Sequence, residues 1–484
     1  MNRAGNKTMY DTIVLGDDPG SLVAAVTLAS HEKKTILLTM DDTPDLYSES
    51  GYTFDIDPLP WTGLNRGDVL RQLLAHLLIT HEDHLLDPAL QIIFQEHRID
   101  IYNDTGSYLK EMEREFPDEA WKILNFYKSI AKSGAFASGL IGKNLHLQPE
   151  TVGDYINLLR NMPAIILKKR AFAANLINIQ KEPELKKILE AQILLLSNLD
   201  PHGISPISFA RTLSLSLNRF FYHTGGKHHL IEGLKKKFEA DGGIIERCSI
   251  STLEMERAIK ANVKVGGEDI PTIYGRNIII STKYEKFTSL LEENRKFSAL
   301  RKRYDKIKPS LYPFTIHIGV QDRCIPEKMG VYVVIVSDEA GPDEDGNLLF
   351  LETSEPGDAL RAPDGKRAIS ATTFLKNSPS ELDNNALENI AEIMLKTLGG
   401  VLPFLKENLD FMDLEKSISI SKSRHRAINH KYRVKNPFIG MSFLPNKTPL
   451  KNVFLTGGML MPGLGFEGEI MSGTNAAKLA IGEN

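Results

Sequence analysis

Residues 11–38 constrain this chain more than any other stretch. In DTIVLGDDPGSLVAAVTLASH, an apolar run from Thr12 to Leu15 stops at Gly16. Ser21–Ser30 has the small, apolar make-up of a closely packed helix, and Thr35–Leu38 is a second short apolar run. A strand, a tight turn, a helix and a strand within about 30 residues make a βαβ unit, with parallel strands and a right-handed crossover. This sets an α/β fold and places residues 16–21 at a helix N-terminus, where the backbone dipole favours an anion.

The rest of the chain alternates between helical and extended patterns. GYTFDID at 51–57 reads as a turn and a short strand. From Gly67 to about Leu230 the pattern becomes mostly helical, with LRQLLAHLLI at 70–79 and ELKKILEAQILLLSNL at 184–199 spaced for helices. Gly225–Gly226 opens an amphipathic helix, HHLIEGLKKKFEADGG, closed by Gly242–Gly243. Residues 262–281 look like a strand pair about the polar turn GGED, ending in the β-branched run NIIIST. FTIHIGVQ, GVYVVIVS and NLLFLET within 312–353 suggest an antiparallel sheet, with DEAGPDEDG as a solvated acidic loop. Residues 381–405 read as a helix broken at its Gly-Gly pair. NVFLTGGMLMPGLGFEGEIMSGTNAAKLAIG reads as a strand, a glycine-rich turn and a closing helix.

Bulk properties narrow the class. The 484 residues are 42% hydrophobic and 25% charged, ordinary for a globular protein. A net charge of −4 gives no reason to expect nucleic acid as a partner. Two cysteines, Cys248 and Cys324, make a disulfide framework unlikely to be needed and point to a reducing, cytoplasmic setting. MNRAGNKTMYD lacks the apolar core of a signal peptide, and no apolar run approaches the roughly 18 residues of a transmembrane helix. Peripheral membrane contact stays open. No Cys/His spacing suggests zinc, so no metal is expected.

Four segments in order resemble the phytoene desaturase branch of the amine oxidase-like, FAD-dependent oxidoreductases. They are TIVLGDDPGSLVAAVTLAS, SGYTFDIDP, GGKHHLIEGLKKKFEADGGIIERCSI and NVFLTGGMLMPGLGFEGEIMSGTNAAKLA, spanning 11–481. FPDEAWKILNFY at 116–127 is similar to the family's helical subdomain. The resemblance implies a Rossmann-like FAD/NAD(P)-binding domain from residues 9–66, 220–290 and 450–484. A helical subdomain at 67–219 and a mixed-sheet substrate domain at 291–449 are inserted into it. FAD is the implied cofactor. Its contacts would fall on Gly16, Asp18, Gly20, Ser21, Thr39, Ile250, Gly457, Gly465, Gly468 and Glu469. The resemblance assigns no side-chain catalyst, since chemistry in this family belongs to the flavin.

The matched positions depart from the family pattern. In this fold three glycines give the tight turn, the approach to the pyrophosphate and close helix packing. Gly16 keeps the first role, whereas Asp18 and Ser21 stand at the other two. Thr39 replaces the acid that would hold the ribose hydroxyls, and Asp57 replaces a glycine of the second motif. A carboxylate about 4 Å from one phosphate charge costs about 1 kcal/mol in water and about 4 at an effective dielectric of 20. Losing the charged ribose acceptor removes a further 1.5–3 kcal/mol, roughly. The low ends sum to about 2.5 kcal/mol, or about 60-fold in affinity. Glu467 and Glu469 bracket Gly468, where carboxylates would oppose the anion of reduced flavin, unless they point to solvent.

Plainer readings accompany each feature. Asp17–Asp18 can be a solvated turn, and Gly457–Gly458 and Gly463–Gly465 close-packed backbone. The basic run KSRHRAINHKYRVK at 422–435 can be a solvated face or a site for an anionic ligand or lipid headgroup. His223, His228 and His229 lack acidic partners nearby in sequence, and Asp55 reads as a local hydrogen-bonding residue. Three expectations follow, the first two being a family member with degraded flavin binding that holds an apolar small molecule or a protein partner, as Rab GDP-dissociation inhibitors use a similar scaffold, and an active FAD oxidoreductase on an apolar, isoprenoid- or lipid-like substrate. A metal-screened flavin or another nucleotide is the third.

Overall fold

The computed structural model describes residues 9–40, 46–65, 68–80, 82–94, 96–142, 152–179, 181–202, 204–216, 220–255, 259–265, 268–269, 272–337, 345–423, 429–434 and 443–482. The expected unit is present as β1 (Met9–Leu15), α1 (Pro19–Ser30) and β2 (Thr35–Thr39). A hairpin of β3 (Leu46–Glu49) and β4 (Tyr52–Asp55) precedes α2 (Val69–His76), β5 (Asp83–Leu85), β6 (Leu90–Phe94) and β7 (His97–Ile101). Helices α3 (Thr105–Glu115), α4 (Ala120–Gly142), α5 (Val152–Ile179), α6 (Pro183–Leu196) and α7 (Pro206–Ser216) come next. The chain returns through β8 (Phe221–His223), α8 (His228–Ala240), β9 (Ile244–Arg247), β10 (Ser249–Glu254), β11 (Ile259–Val265), β12 (Glu268–Asp269) and β13 (Ile273–Ser281). Helices α9 (Phe287–Glu293) and α10 (Ser298–Tyr304) lead into β14 (Ile307–Gln321), β15 (Tyr332–Val336), β16 (Leu348–Thr353) and β17 (Lys366–Leu375). Then come α11 (Asn384–Val401), α12 (Leu405–Asn408), β18 (Leu409–Met412), α13 (Leu414–Ser423) and β19 (Lys431–Val434), with β20 (Val453–Thr456) and α14 (Gly465–Ile481) last.

The first sheet has a parallel centre, ordered β9, β2, β1, β13, β20. Ile13 stands opposite Ile278, and Ile278 opposite Val453. Residues 12–15, 35–38, 278–281 and 453–456 of these strands are buried at every position because both faces are covered there, as a parallel sheet requires, whereas the edge strand β9 is mostly exposed. Val14, Leu37 and Ile279 pack beneath α1, α8 and α14. Ile13, Leu15 and Ile280 face the other way, toward the core that includes Phe287 and Leu300. The second sheet runs β18, β14, β17, β16, β15, β6, β7.

That order corrects the expectation of a helical stretch at 67–219. Its strands β6 and β7 extend the second sheet, with β6 parallel to β15 from Gln91 opposite Val333 to Phe94 opposite Val336. LQIIF is short and buried at four of five positions, so its periodicity resembles that of a helix segment. The Gly-Gly break at 399–400 is also corrected. Helix α11 runs through both glycines to Val401 and stops before Pro403. Leu402 is extended (φ −104°, ψ 102°), the conformation that a following proline imposes. Gly266, Gly267 and most of the acidic loop at 338–346 lie outside the described residues.

The two sheets meet through buried charge. Asp55, at the end of β4, accepts hydrogen bonds from the Lys227 and His228 amides at 2.9 and 3.1 Å, and its Oδ1 lies 3.1 Å from His228 Nδ1. It therefore caps the start of α8, 172 residues away. Burial alone would raise its pKa, but the His228 hydrogen bond and the charges of Arg361, Lys227 and His228 hold it well below the usual range. Arg361 is fully buried, lies 4.0 Å from Asp55 and grips Glu352 of β16 with two bonds of 2.7 and 3.0 Å. Asp358 completes the turn by accepting from Gly225 N at 2.8 Å and Tyr222 OH at 2.6 Å.

Removing one partner of this pair should cost far more than removing both. Arg361→Met leaves Glu352 buried and unpaired, and unfolding free energy from urea titration should fall by about 3–5 kcal/mol. Arg361→Met/Glu352→Leu should recover more than half of that loss. Equal losses in the two variants would show that charge pairing is not the source.

Candidate functional site

The turn after β1 is built around its own carboxylates. Asp18 is the N-cap of α1, and its side chain accepts from Ser21 N and Ser21 Oγ, each at 3.1 Å, and closely from Ser281 Oγ. Asp18 and Ser21 are both buried. Asp17 Oδ1 accepts from Met40 N at 2.8 Å, tying the turn to the end of β2. The plain reading of a solvated turn is therefore corrected: both acids are held by specific donors. A side chain at Gly16 would meet Ser281 Cβ at 2.6 Å, so this position has no room for one.

A cleft of about 860 Å³, including its mouth, opens on this turn. Gly16, Asp17, Asp18, Thr39, Asp55, Asp57 and Glu469 line it together with Trp61, Lys227, Lys283, Asn429 and Phe466. Trp61 and Phe466 stack with ring centroids 4.2 Å apart. Lys227 Nζ donates to the carbonyls of Asp57, at 2.6 Å, and Leu59. Lys283 Nζ lies 3.2 Å from Glu469 Oε1, and Asn429 Nδ2 donates to Glu469 Oε2 at 2.8 Å. Lys283, Asn429, Trp61 and Phe466 were not legible as site residues in the sequence. Only Lys283 carries a signal, two residues beyond a buried strand that ends at the turn.

The remaining expected site residues separate into two groups. Gly16, Asp18, Thr39 and Glu469 reach the cleft. Gly20 lies directly behind the turn, where a Cβ would meet Thr456 Oγ1 at 2.8 Å, and Gly473 packs on its carbonyl. Gly457, Gly465 and Gly468 are close-packed: added Cβ atoms would meet Thr282 Oγ1 at 2.6 Å, Leu196 O at 2.6 Å and Met461 O at 2.3 Å. Ile250 is buried in the hydrophobic core beneath the first sheet and does not line the cleft. Glu467 and Glu469 are buried, not turned to solvent; Glu467 pairs with the buried Arg211. His228 has an acidic partner after all, Asp55, brought from far along the chain. Among the described residues no His, Cys, Asp or Glu group is arranged to hold a metal.

The basic run 422–435 is a solvated face only in part where it is described: Arg433 is exposed, but Lys431 is not. Lys431 is fully buried, with Nζ donating to Ser197 O at 2.7 Å and lying 5.0 Å from the Phe374 ring centre. Burial pushes its pKa down to about 7, with Asp57 opposing. Arg433 pairs with Asp200. Arg424, Arg426 and Lys435 lie outside the described residues. Burial pushes Glu469 up to about 7; Lys283 opposes this and Asp18 adds to it.

A parallel sheet with its turn and closing helix, joined to a second mixed sheet, defines the class of Rossmann-like FAD-type oxidoreductase folds. No protein-family model matches the chain. It is 22% identical over 504 aligned residues to the chloroplastic prolycopene isomerase of Arabidopsis thaliana, covering 98% of this chain and 83% of the relative. In structure it is similar to a putrescine oxidase variant (TM-score 0.62, 12% identity, 98% and 99% of the two chains). It is also similar to a Rab GDI from Plasmodium falciparum (TM-score 0.52, 11% identity, 99% and 98%). These likenesses bear out the resemblance carried by the motifs, to the phytoene desaturase branch of the amine oxidase-like oxidoreductases.

Two buried groups give stability a distinctive pH profile. Glu469, raised from 4.5, binds more proton in the folded state between pH 4.5 and about 7, so its contribution declines as pH rises through that window. Lys431, lowered from 10.5, binds more proton in the unfolded state between about 7 and 10.5, so its contribution grows with pH there. Glu469→Gln should flatten the first slope and Lys431→Met the second, in urea titrations across pH 5–10. Unchanged slopes would show that neither group titrates as its burial requires.

Proposed function

We propose that this chain keeps the family scaffold while the diphosphate-binding end of its cleft is closed from within. Flavin binding is weak or lost, and the protein holds an apolar small molecule or a protein partner. One observation carries this reading: the N-terminus of α1, which a dinucleotide's phosphates would use, already has an anion, the Asp18 carboxylate. FAD would have to displace it from Ser21 and Ser281 or bind beside it. Hydrogen bonds to charged groups are worth about 1.5–3 kcal/mol each, so displacement removes a large part of the available binding energy. Asp17 and Glu469 add negative charge to the same cleft, and Thr39 offers no charge to the ribose. The residues at the phosphate end therefore do not fit FAD in the family's usual manner. The likeness to a Rab GDI, named for a Rab partner, supports a binding role.

A second reading is an active FAD oxidoreductase on an isoprenoid- or lipid-like substrate. The likeness to prolycopene isomerase over 98% of the chain favours it, as does the inner end of the cleft, with its Trp61–Phe466 stack beside Lys227. The described residues include no helix long and apolar enough to cross a membrane. Cys248 and Cys324 are free and buried, which suits a reducing compartment such as the cytoplasm; the Arabidopsis relative is named as chloroplastic.

Under the first reading the purified protein is colourless and takes up FAD only weakly on titration. Asp18→Gly/Ser21→Gly/Thr39→Glu should tighten FAD binding by about 60-fold, the low-end sum of the phosphate and ribose terms. A yellow parent protein that retains FAD through gel filtration would overturn this reading in favour of the second.

A further inference from the structure

A second pocket lies among the helices, apart from the cleft. Its volume is about 920 Å³ with its mouth, and it shares no lining residue with the cleft. Proteins hold small molecules in spaces of about 300–1,000 Å³. Leu109 and Met112 of α3 and Leu124 and Ala131 of α4 form its apolar wall. Only residues 116–119 join α3 to α4, so the two helices run antiparallel. The Tyr108 and Tyr127 rings meet between them, with centroids 4.9 Å apart. The turn before α3 therefore lies opposite the part of α4 that follows Tyr127.

That end of the pocket is polar in two ways. Asn103, in the turn, donates from Nδ2 to Leu86 O at 2.6 Å and to Asp87 Oδ1 at 3.2 Å. With the amide nitrogen so committed, its Oδ1 is buried and accepts from no described residue. A buried acceptor is rarely left open, and Asn103 borders a space that a guest can fill. Lys128 and Lys132, one turn apart on α4, line the same end, and none of the lining residues is acidic. Like charges four residues apart on a helix repel, and an anion beside both relieves that repulsion. The other end, at Met112 and Leu124, is apolar. One guest answers all three features. Its carboxylate meets the two amines, a neighbouring hydroxyl donates to Asn103 Oδ1, and its hydrocarbon tail runs toward Met112 and Leu124. From Lys132 back to Leu124 the helix covers about 12 Å, which a medium-length tail spans. We propose that this pocket binds a medium-chain hydroxy acid. The proposal is independent of whether the cleft holds flavin.

Isothermal titration calorimetry of the full chain with 3-hydroxydecanoate, decanoate and 1-decanol tests it. The hydroxy acid should bind about threefold or more tightly than decanoate and about tenfold or more tightly than 1-decanol. Lys128→Gln/Lys132→Gln should weaken its binding about tenfold or more, with the thermal midpoint unchanged because both lysines are exposed. Ala131→Trp should obstruct the pocket without changing its charge, and it tests the proposal separately if the lysine variant misfolds. The proposal is overturned if 3-hydroxydecanoate does not bind saturably, or if decanoate or 1-decanol binds as tightly. It is also overturned if either well-folded variant binds the hydroxy acid as the parent does, which would place the acid elsewhere on the protein.

Discussion

The Asp55 carboxylate is the point on which the two halves of this molecule are fastened. It stands at the end of a hairpin strand, receives the first amides of α8 and lies against the guanidinium that holds Glu352 in the second sheet. Each group is buried, so each depends on the others for the solvation that water would otherwise give. The arrangement also fixes the wall of the cleft, since Asp55, Asp57, Lys227 and His228 line it. Fold and site thus share one set of charges. Tyr52, Phe54 and Phe411, stacked within 6.2 Å of one another, give the joint its apolar side.

A helix N-terminus presents amides that need acceptors, and a protein can leave that need to a ligand or meet it itself. Here Asp18 meets part of it, its carboxylate accepting from the Ser21 amide. The same choice recurs on the other side of the cleft. Glu469 faces Lys283 and Asn429, and Glu467 faces Arg211, so charges at the start of α14 are matched within the chain. A site whose charges are already paired gains less from a charged ligand than one whose charges wait for it.

Much of the architecture was legible because its signals are local. The run from Thr12 to Leu38, the strand ending at Ser281 and the final strand, turn and helix each declare themselves by composition and glycine placement, and their order carries the family resemblance. What escaped depends on contacts distant in sequence. LQIIF gives no sign that its neighbour is β15, some 240 residues later. Nothing in KSRHRAINHKYRVK distinguishes Lys431, buried at a strand start, from its solvated neighbours. The sequence shows Asp17 and Asp18 in the turn after β1. It did not reveal that Asp18 turns inward, because its partner Ser281 lies 263 residues away. Ile250 shows the converse: a motif match puts it near the cofactor, while its side chain belongs to the core.

The strand order of the first sheet bears on how this chain emerges from a ribosome. β1 lies between β2, formed early, and β13, which ends at Ser281; β13 in turn awaits β20, beginning at Val453. α1 packs on α14, with Gly20 against Gly473 near the very end. β1–α1–β2 cannot bury all of its apolar surface alone, so vectorial synthesis leaves the α14-facing side of α1 uncovered until the last helix arrives. Such a topology lengthens the time for which the nascent chain is exposed to aggregation.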